Sequence, residues 1–405
     1  MTGLVRSQKV DLRTIFVSFL TLGCVAFGGP VAHLAFFQQE FVEKRAWFSK
    51  DEYAEIVALC QFLPGPASSQ VGISIGLLKG GYSGAVLAWF AFTLPSALLL
   101  FGVAMALVYG AEQIPKLVLL SLKAVTVAVV ANAVWGMASS ICHDAGRKTI
   151  AVIAACAVLW FEYSATPIIL IVLSGVFGAI VYKRECVPKT TMVQFGASRK
   201  TGFIFLLTFF LLLLLLPILA TMFSHTELTL FSSFFQVGSL VFGGGHVVLP
   251  MLEAEVLDKA WMSRETFLVG YGATQAVPGP LFTFATFIGA VSPLGISALT
   301  GALIATIGIF LPSFLLVFGV MPLWQSTRTK SVFRGALAAI NASVVGLLLA
   351  ALYRPVFTAG VQDADNPVLQ LIIVLVAWLA LAVWKLPPWL VVLSAVGFAY
   401  VFSFI

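Results

Sequence analysis

The sequence predicts an all-α integral membrane protein of about 12–13 hydrophobic helical segments, paired as two homologous halves of inverted topology with broken helices. Three observations carry that reading. Of 405 residues, 60% are hydrophobic and 10% charged, with a mean hydropathy of +1.04, whereas soluble chains carry about 25% charged residues. Several apolar runs reach the roughly 20 residues that cross a bilayer as a helix. Glycine and proline interrupt these runs at matching places in both halves of the chain.

After a basic leader (Arg6, Lys9, Arg13), apolar segments fall near 13–37, 53–78, 83–108 and 114–141. A pair near 149–161 and 166–184 is broken around Glu162 and Thr166-Pro167. Its first member, about 13 residues long, is short enough to enter the bilayer as a hairpin rather than cross it. A basic stretch from Lys183 to Lys200 precedes a very apolar segment near 201–223. The pattern restarts at 229–252, 265–290, 293–320, 332–353, 367–384 and 387–405. The unbroken leucine run from Leu211 to Leu216 lacks the alternation of a barrel strand. The first segment is too long for a signal-peptide core and has no small-residue cleavage site. With no G-x-x-x-x-G-K-[ST] motif and no sizeable soluble domain, an ATP-driven pump is not expected. The five cysteines (Cys24, Cys60, Cys142, Cys156, Cys186) form no C-x-x-C pair and read as small packing residues. The net charge of +6 comes from residues scattered at loop positions, which fits membrane topology better than nucleic-acid binding.

The restart is a repeat. The first copy runs Phe27-Gly28-Gly29-Pro30, a charged passage to Trp47, then Gln61-Phe62-Leu63-Pro64-Gly65-Pro66. The second runs Phe242-Gly243-Gly244-Gly245, a charged passage to Trp261, then Gln275-Ala276-Val277-Pro278-Gly279-Pro280. Leu94-Pro95-Ser96 matches Leu311-Pro312-Ser313, and Phe101-Gly102-Val103 matches Phe318-Gly319-Val320. Shared composition does not produce ordered landmarks of this kind, so the chain divides into a first repeat (1–190), a basic linker with a connecting helix (191–228) and a second repeat (229–405). With the N-terminus inside and 149–184 returning to its own side, 17 of the 23 lysines and arginines fall in the cytoplasm; Lys44, Arg45, Lys50, Lys116 and Arg354 are expected outside, and Lys123 within a span. The connecting helix then turns the second copy upside down, the architecture of secondary transporters.

Each Pro-Gly-Pro triplet sits inside an apolar segment. Proline lacks an N–H and clashes with the preceding turn, so two prolines around a glycine end one half-helix and begin another. Broken backbone in lipid is tolerated only where the freed groups meet protein, water or a ligand. The new half-helix offers N–H groups and a positive dipole end to an anion. Gly28, Gly29 and Pro30, with Gly243, Gly244 and Gly245, make the partner breaks. Around Pro64, Gly65 and Pro66 stand Gln61, Ser68, Ser69 and Gln70; around Pro278, Gly279 and Pro280 stand Gln275, Thr283 and Thr286. These hydroxyls and amides suit the oxygens of a small oxyanion. The plainer explanation, kinks that let helices pack closely, serves for one such break but less well for four paired by duplication.

Candidates for gating or coupling are fewer. Glu40, Lys44 and Arg45 follow the first break, and Glu253 and Glu255 the second; they form either a solvated loop or a vestibule that attracts anions. Lys123 lies in an apolar run, where a cation costs about 2.5–3.5 kcal/mol or more at the bilayer centre. It faces the bundle interior or snorkels from the end of its span. Asn132 and Asn341 serve helix packing as readily as a ligand. His33 and His246 each follow a glycine break, and an acid–base role is open to either. The four histidines are too dispersed for a zinc site; no metal and no cofactor is expected.

With these landmarks in hand, the chain resembles the chromate ion transporter (CHR) family in its long, two-half form. The resemblance rests on Phe27-Gly28-Gly29-Pro30 with His33, Glu40-Phe41-Val42 with Trp47, both Pro-Gly-Pro passages, Leu94-Pro95-Ser96, Val237-Gly238, Phe242 to His246 and Leu311-Pro312, and it covers most of both halves. It implies a multi-pass protein of the bacterial inner membrane that exports chromate and confers resistance, with the oxyanion and the bilayer as partners. Sulfate has the same charge and shape, so a sulfate or other anion transporter, proton-coupled, is the alternative; a homodimer is compatible. Glutamine stands at Gln38, Gln39 and Gln236, where the family pattern implies arginines, which removes charge and a bidentate fork. An intramembrane enzyme would need clustered His/Asp or Ser/His groups at one depth, and none occurs in the sequence.

Overall fold

A computed structural model describes residues 9–110, 116–161, 163, 166–182, 198–223, 225–241, 248–324, 331–362, 364 and 366–402. Gly243, Gly244, Gly245 and His246 lie outside these, as do Glu162 and most of the basic stretch after Lys183. Among the described residues the chain is helical, with no strand. The first half comprises α1 (Leu12–Val25), α2 (Gly29–Gln38, continued by a π turn, Gln39–Lys44), α3 (Lys50–Phe62), α4 (Ala67–Gly110), α5 (Lys116–Ile141), α6 (Ala145–Trp160) and α7 (Thr166–Val181). The connecting α8 (Arg199–Phe223) leads to α9 (Thr226–Leu240), α10 (Val248–Asp258), α11 (Arg264–Gln275), α12 (Phe284–Val291), α13 (Ala298–Val320), α14 (Ser331–Ala351, with a π continuation Leu352–Gln362), α15 (Pro367–Ala382) and α16 (Pro388–Phe402). The predicted segments recur as helices, but 13–37, 53–78, 229–252 and 265–290 each take in parts of two helices, because the chain breaks within them. Among the described residues, five helical stretches are long and apolar enough to cross a membrane, including Arg199–Phe223, most of whose surface is left for lipid.

Local sequence explains the element ends. Ser49 and Glu52 close a reciprocal capping box at the start of α3, and Ser263 and Ser297 cap α11 and α13. Helix α3 stops because Pro64 forces Leu63 into extended backbone (φ −82, ψ 146). The 44-residue α4 is two arms folded back at Gly81 (φ 67, ψ −160), with Gly76 pressed against the carbonyl of Gly84. In the second half the same hairpin is α12 and α13, with Gly289 pressed against Gly301. No Cβ fits at either contact, and such close backbone approach is how helices gain packing energy in lipid.

The halves interlock by exchange. Helix α5 packs on α15 and α16 of the other half, while α14 packs on α6 and α7. Gly178 of α7 meets the backbone of Gly335, and Gly346 of α14 meets that of Ala151. Within each half, Gly23 on α1 abuts Phe92, as Gly238 on α9 abuts Ile309. Glycine thus stands at the tightest helix crossings of both halves.

Candidate functional site

Both Pro-Gly-Pro passages are genuine interruptions. Chain 63–66 separates α3 from α4, and 276–280 separates α11 from a 3-10 turn (Leu281–Thr283) that leads into α12. Gly65 (φ +116) and Gly279 (φ +99) adopt backbone that strongly favours glycine.

The breaks meet crosswise. The N–H of Gly65 donates to the carbonyl of Val241, next to the second glycine break, at 2.6 Å. The N–H of Gly279 donates to the carbonyl of Ala26, next to the first glycine break, at 2.9 Å. Each triplet is closed by the other half. The serines of the matched Leu-Pro-Ser motifs follow the same rule: a Cβ on Gly65 would lie 3.1 Å from Ser313 Oγ, and one on Gly279 would lie 2.9 Å from Ser96 Oγ.

His33 extends this junction. It is fully buried, with Nε2 3.1 Å from the Ala26 carbonyl and Nδ1 3.3 Å from Ser68 Oγ. A carbonyl only accepts, so the ring proton sits on Nε2 and Nδ1 accepts from the Ser68 hydroxyl. Ala26 therefore receives hydrogen bonds from both His33 and Gly279, which ties α2, the first turn of α4 and the opposite triplet into one network.

Because the amides of Gly65 and Gly279 are already bonded, side chains supply much of the remaining donor capacity. Gln275 lies against the Tyr271 hydroxyl, while Ser69 Oγ, Ser313 Oγ and Thr93 Oγ1 are buried and make no hydrogen bond among the described residues. Such groups cost about 1–3 kcal/mol each unless something pairs with them. Gln70 Nε2 donates to the Pro64 carbonyl at 2.6 Å, and its Oε1 is unpaired. Thr283 is spent on the Pro280 carbonyl and Thr286 on Thr306. The sequence marked Ser313 only as the last residue of a repeated Leu-Pro-Ser motif, and Thr93 not at all; only the folded chain brings Ser313 against Gly65.

The charged passages form a repeated corner. Glu40 pairs with Arg45 (2.7 Å) and Lys44 (3.5 Å), and Glu255 pairs with Lys259. Arg45 lies over Trp47 and Lys259 over Trp261. Ala46 and Ala260 both take left-handed backbone, φ 48 and 53, at the turn. These charges answer one another. Lys123 is bound to Glu265 at 2.8 Å, linking α5 to the start of α11 near the surface, since Glu265 is 70% exposed. Glu253 differs: it is buried on α10, just past the apolar run, with Arg264 Nε 3.5 Å away. Burial pushes its carboxyl up to about 8, with Arg264 pulling the other way. The sequence reading missed Glu55 on α3 and Lys79 on α4, both buried.

A family model described as Chromate transporter matches the chain twice, over residues 13–179 and 228–400. Among curated proteins, an uncharacterised transporter of Methanocaldococcus jannaschii is 29% identical, covering 84% of this chain and 83% of the relative. A chromate transport protein of Pseudomonas aeruginosa is 27% identical over 82% of this chain and 78% of its own length. One from Cupriavidus metallidurans is 25% identical over 91% and 88%. No solved structure matches.

Proposed function

The chain belongs to the chromate transporter family, and we propose that it is a secondary transporter that exports chromate across the inner membrane. The substrate rests on the names of the relatives from P. aeruginosa and C. metallidurans. The site is the crosswise junction, where the anion lies between the two Pro-Gly-Pro breaks. One observation carries this: the hydroxyls of Ser69 and Ser313 are buried beside the first break without acceptors, and an oxyanion brings acceptors only. The halves are related by inversion, so rocking one against the other would expose the junction to each side in turn.

Energetics favour the outward direction. A dianion leaving a cell about 150 mV negative inside gains about 7 kcal/mol, enough for a gradient near ~10⁵. Potential alone suffices for export, whereas uptake would need a coupled ion. The proton-coupled alternative is kept because Glu253 is a buried carboxyl in the second half.

The test is accumulation of labelled chromate and sulfate in inverted vesicles at set membrane potentials, with and without a pH gradient. Potential-driven chromate accumulation is expected. Accumulation of neither anion would defeat the proposal, and accumulation only with a pH gradient would favour the coupled reading.

A further inference from the structure

A groove of ≈ 440 Å³ lies between α2 and α3; Gln38, Lys50, Tyr53 and Gln61 give it polar groups, and the apolar Leu34, Ala35, Ala54, Val57 and Ala58 make up the rest of its lining. The α3 positions recur at intervals of three and four, so they form one stripe of the helix. From Lys50 to Gln61 that stripe is about 16 Å long at about 1.5 Å per residue, and it ends beside the 63–66 break. Its middle is narrow-sided alanine, and Tyr53 Oη donates to the Leu34 carbonyl at 2.6 Å, pinning α2 to α3.

This groove holds water rather than lipid. Gln61 is exposed and Gln38 partly so, and a primary amide facing hydrocarbon without a partner costs several kcal/mol. Helix α3 also carries Asp51, Glu52 and Glu55 and is not among the helices apolar enough to cross a membrane. The space is many times the ~30 Å³ share of one water, so a small anion fits with part of its hydration shell.

The charge in the groove has one sign. Lys44 and Arg45 are neutralised by Glu40, whereas Lys50 has no ion pair among the described residues and stands at the open end of the stripe. Asp51, Glu52 and Glu55 fall on other faces of α3, and Glu52 is held by the Ser49 amide.

We propose that this groove is an outward-facing antechamber for a tetrahedral oxyanion, with Lys50 as its attracting cation and Gln38 and Gln61 as its internal hydrogen-bonding groups. It rests on the transport reading above and extends it by naming the path between the junction and the outer face.

The test is site-directed thiol labelling of Ala54→Cys and Ala58→Cys in a chain whose native cysteines are replaced, using membrane-impermeant anionic and cationic methanethiosulfonates on intact cells. Both positions should react from outside, faster with the anionic reagent, and sulfate should slow the reaction. Lys50→Gln should cut the anionic-to-cationic rate ratio by about tenfold, the effect of one charge roughly 6 Å away in water on reagents of opposite sign. Unreactive positions, or a ratio unchanged by Lys50→Gln, would overturn the proposal. Should the cysteine-free chain fail to insert, Lys50→Gln in the native chain serves instead: the half-saturating sulfate concentration on the outer face should rise several-fold with the maximal rate retained, and no rise would overturn it. Labelling reads access rather than transport. A charge-selective groove in a chain that accumulates no anion would therefore count against the transport reading alone.

Discussion

The amide of Gly279 donates to the carbonyl of Ala26 at 2.9 Å, across the boundary between the two halves of the chain. Gly65 and Val241 repeat the relationship with the halves exchanged. Two weak points in the helices, each unaffordable alone in lipid, are thereby closed by each other. The junction is held by backbone bonds, while unpaired side-chain donors stand around it.

Glycine at positions 65 and 279 is required by conformation and space together. An alanine Cβ at 65 would lie 2.7 Å from Gln70 Nε2, and one at 279 would lie 2.9 Å from Ser96 Oγ. Gly65→Ala and Gly279→Ala should each destabilise the protein by about 1–3 kcal/mol and reduce transport at least tenfold. Thermal unfolding in detergent and vesicle uptake check this.

The unpaired hydroxyls behave differently. Removing a buried hydroxyl that has no partner does not destabilise the fold. Ser69→Ala and Ser313→Ala should therefore leave the melting temperature unchanged or raised, while weakening anion binding by about 10–150-fold each, the value of one hydrogen bond to a charged group. Ser96→Ala is the control, since Ser96 already donates to the Thr93 carbonyl. Equal effects on binding from all three variants would contradict the assignment.

His33 holds the junction from inside. His33→Ala strands the Ser68 hydroxyl and opens a cavity, and should cost about 2–4 kcal/mol. Phenylalanine restores volume without hydrogen bonds and should recover only part of that loss, as read by thermal unfolding.

Glu253 sets a pH dependence. Its folded value of about 8 exceeds the ordinary 4.5, so the native state keeps a proton that the unfolded state has released. Stability is fullest below pH 4.5 and declines as pH rises towards 8. Glu253→Gln should flatten that decline in melting temperature against pH. If this carboxyl also couples protons, the same variant should make uptake indifferent to a pH gradient.

The repeated corners give a stabilising prediction. Alanine at φ 48 and 53 carries a left-handed backbone penalty that glycine does not. Ala46→Gly and Ala260→Gly should each raise stability by about 0.5–1 kcal/mol, measured as a rise in melting temperature.

Much of the architecture was legible in the residues. Apolar length placed the segments but ran through the breaks inside 13–37, 53–78, 229–252 and 265–290, and the Pro-Gly-Pro triplets located two of those interruptions, because proline and glycine act through local backbone chemistry. The duplication also told that the two passages are equivalent, though not that each is closed by the other half; that depends on how α4 packs on α12 and α13. Charge was least legible. Lys44, Arg45 and Lys123 stand out in a sequence, yet their charges are met by Glu40 and Glu265, partners that only folding supplies for Lys123. Conversely Ser313 is a repeat landmark in the sequence but shows no role until it lies against Gly65. Lys50, an ordinary helix-start lysine in the sequence, stands at the end of the α2–α3 groove with no ion pair among the described residues.

The central claim is that one oxyanion occupies the crosswise junction. Equilibrium binding of labelled chromate to the purified protein tests it directly, comparing the native chain with Ser69→Ala/Ser313→Ala, whose fold is verified by gel filtration and melting temperature. One saturable site whose affinity drops at least tenfold in the double variant is predicted. Undiminished binding by a well-folded double variant would contradict the account.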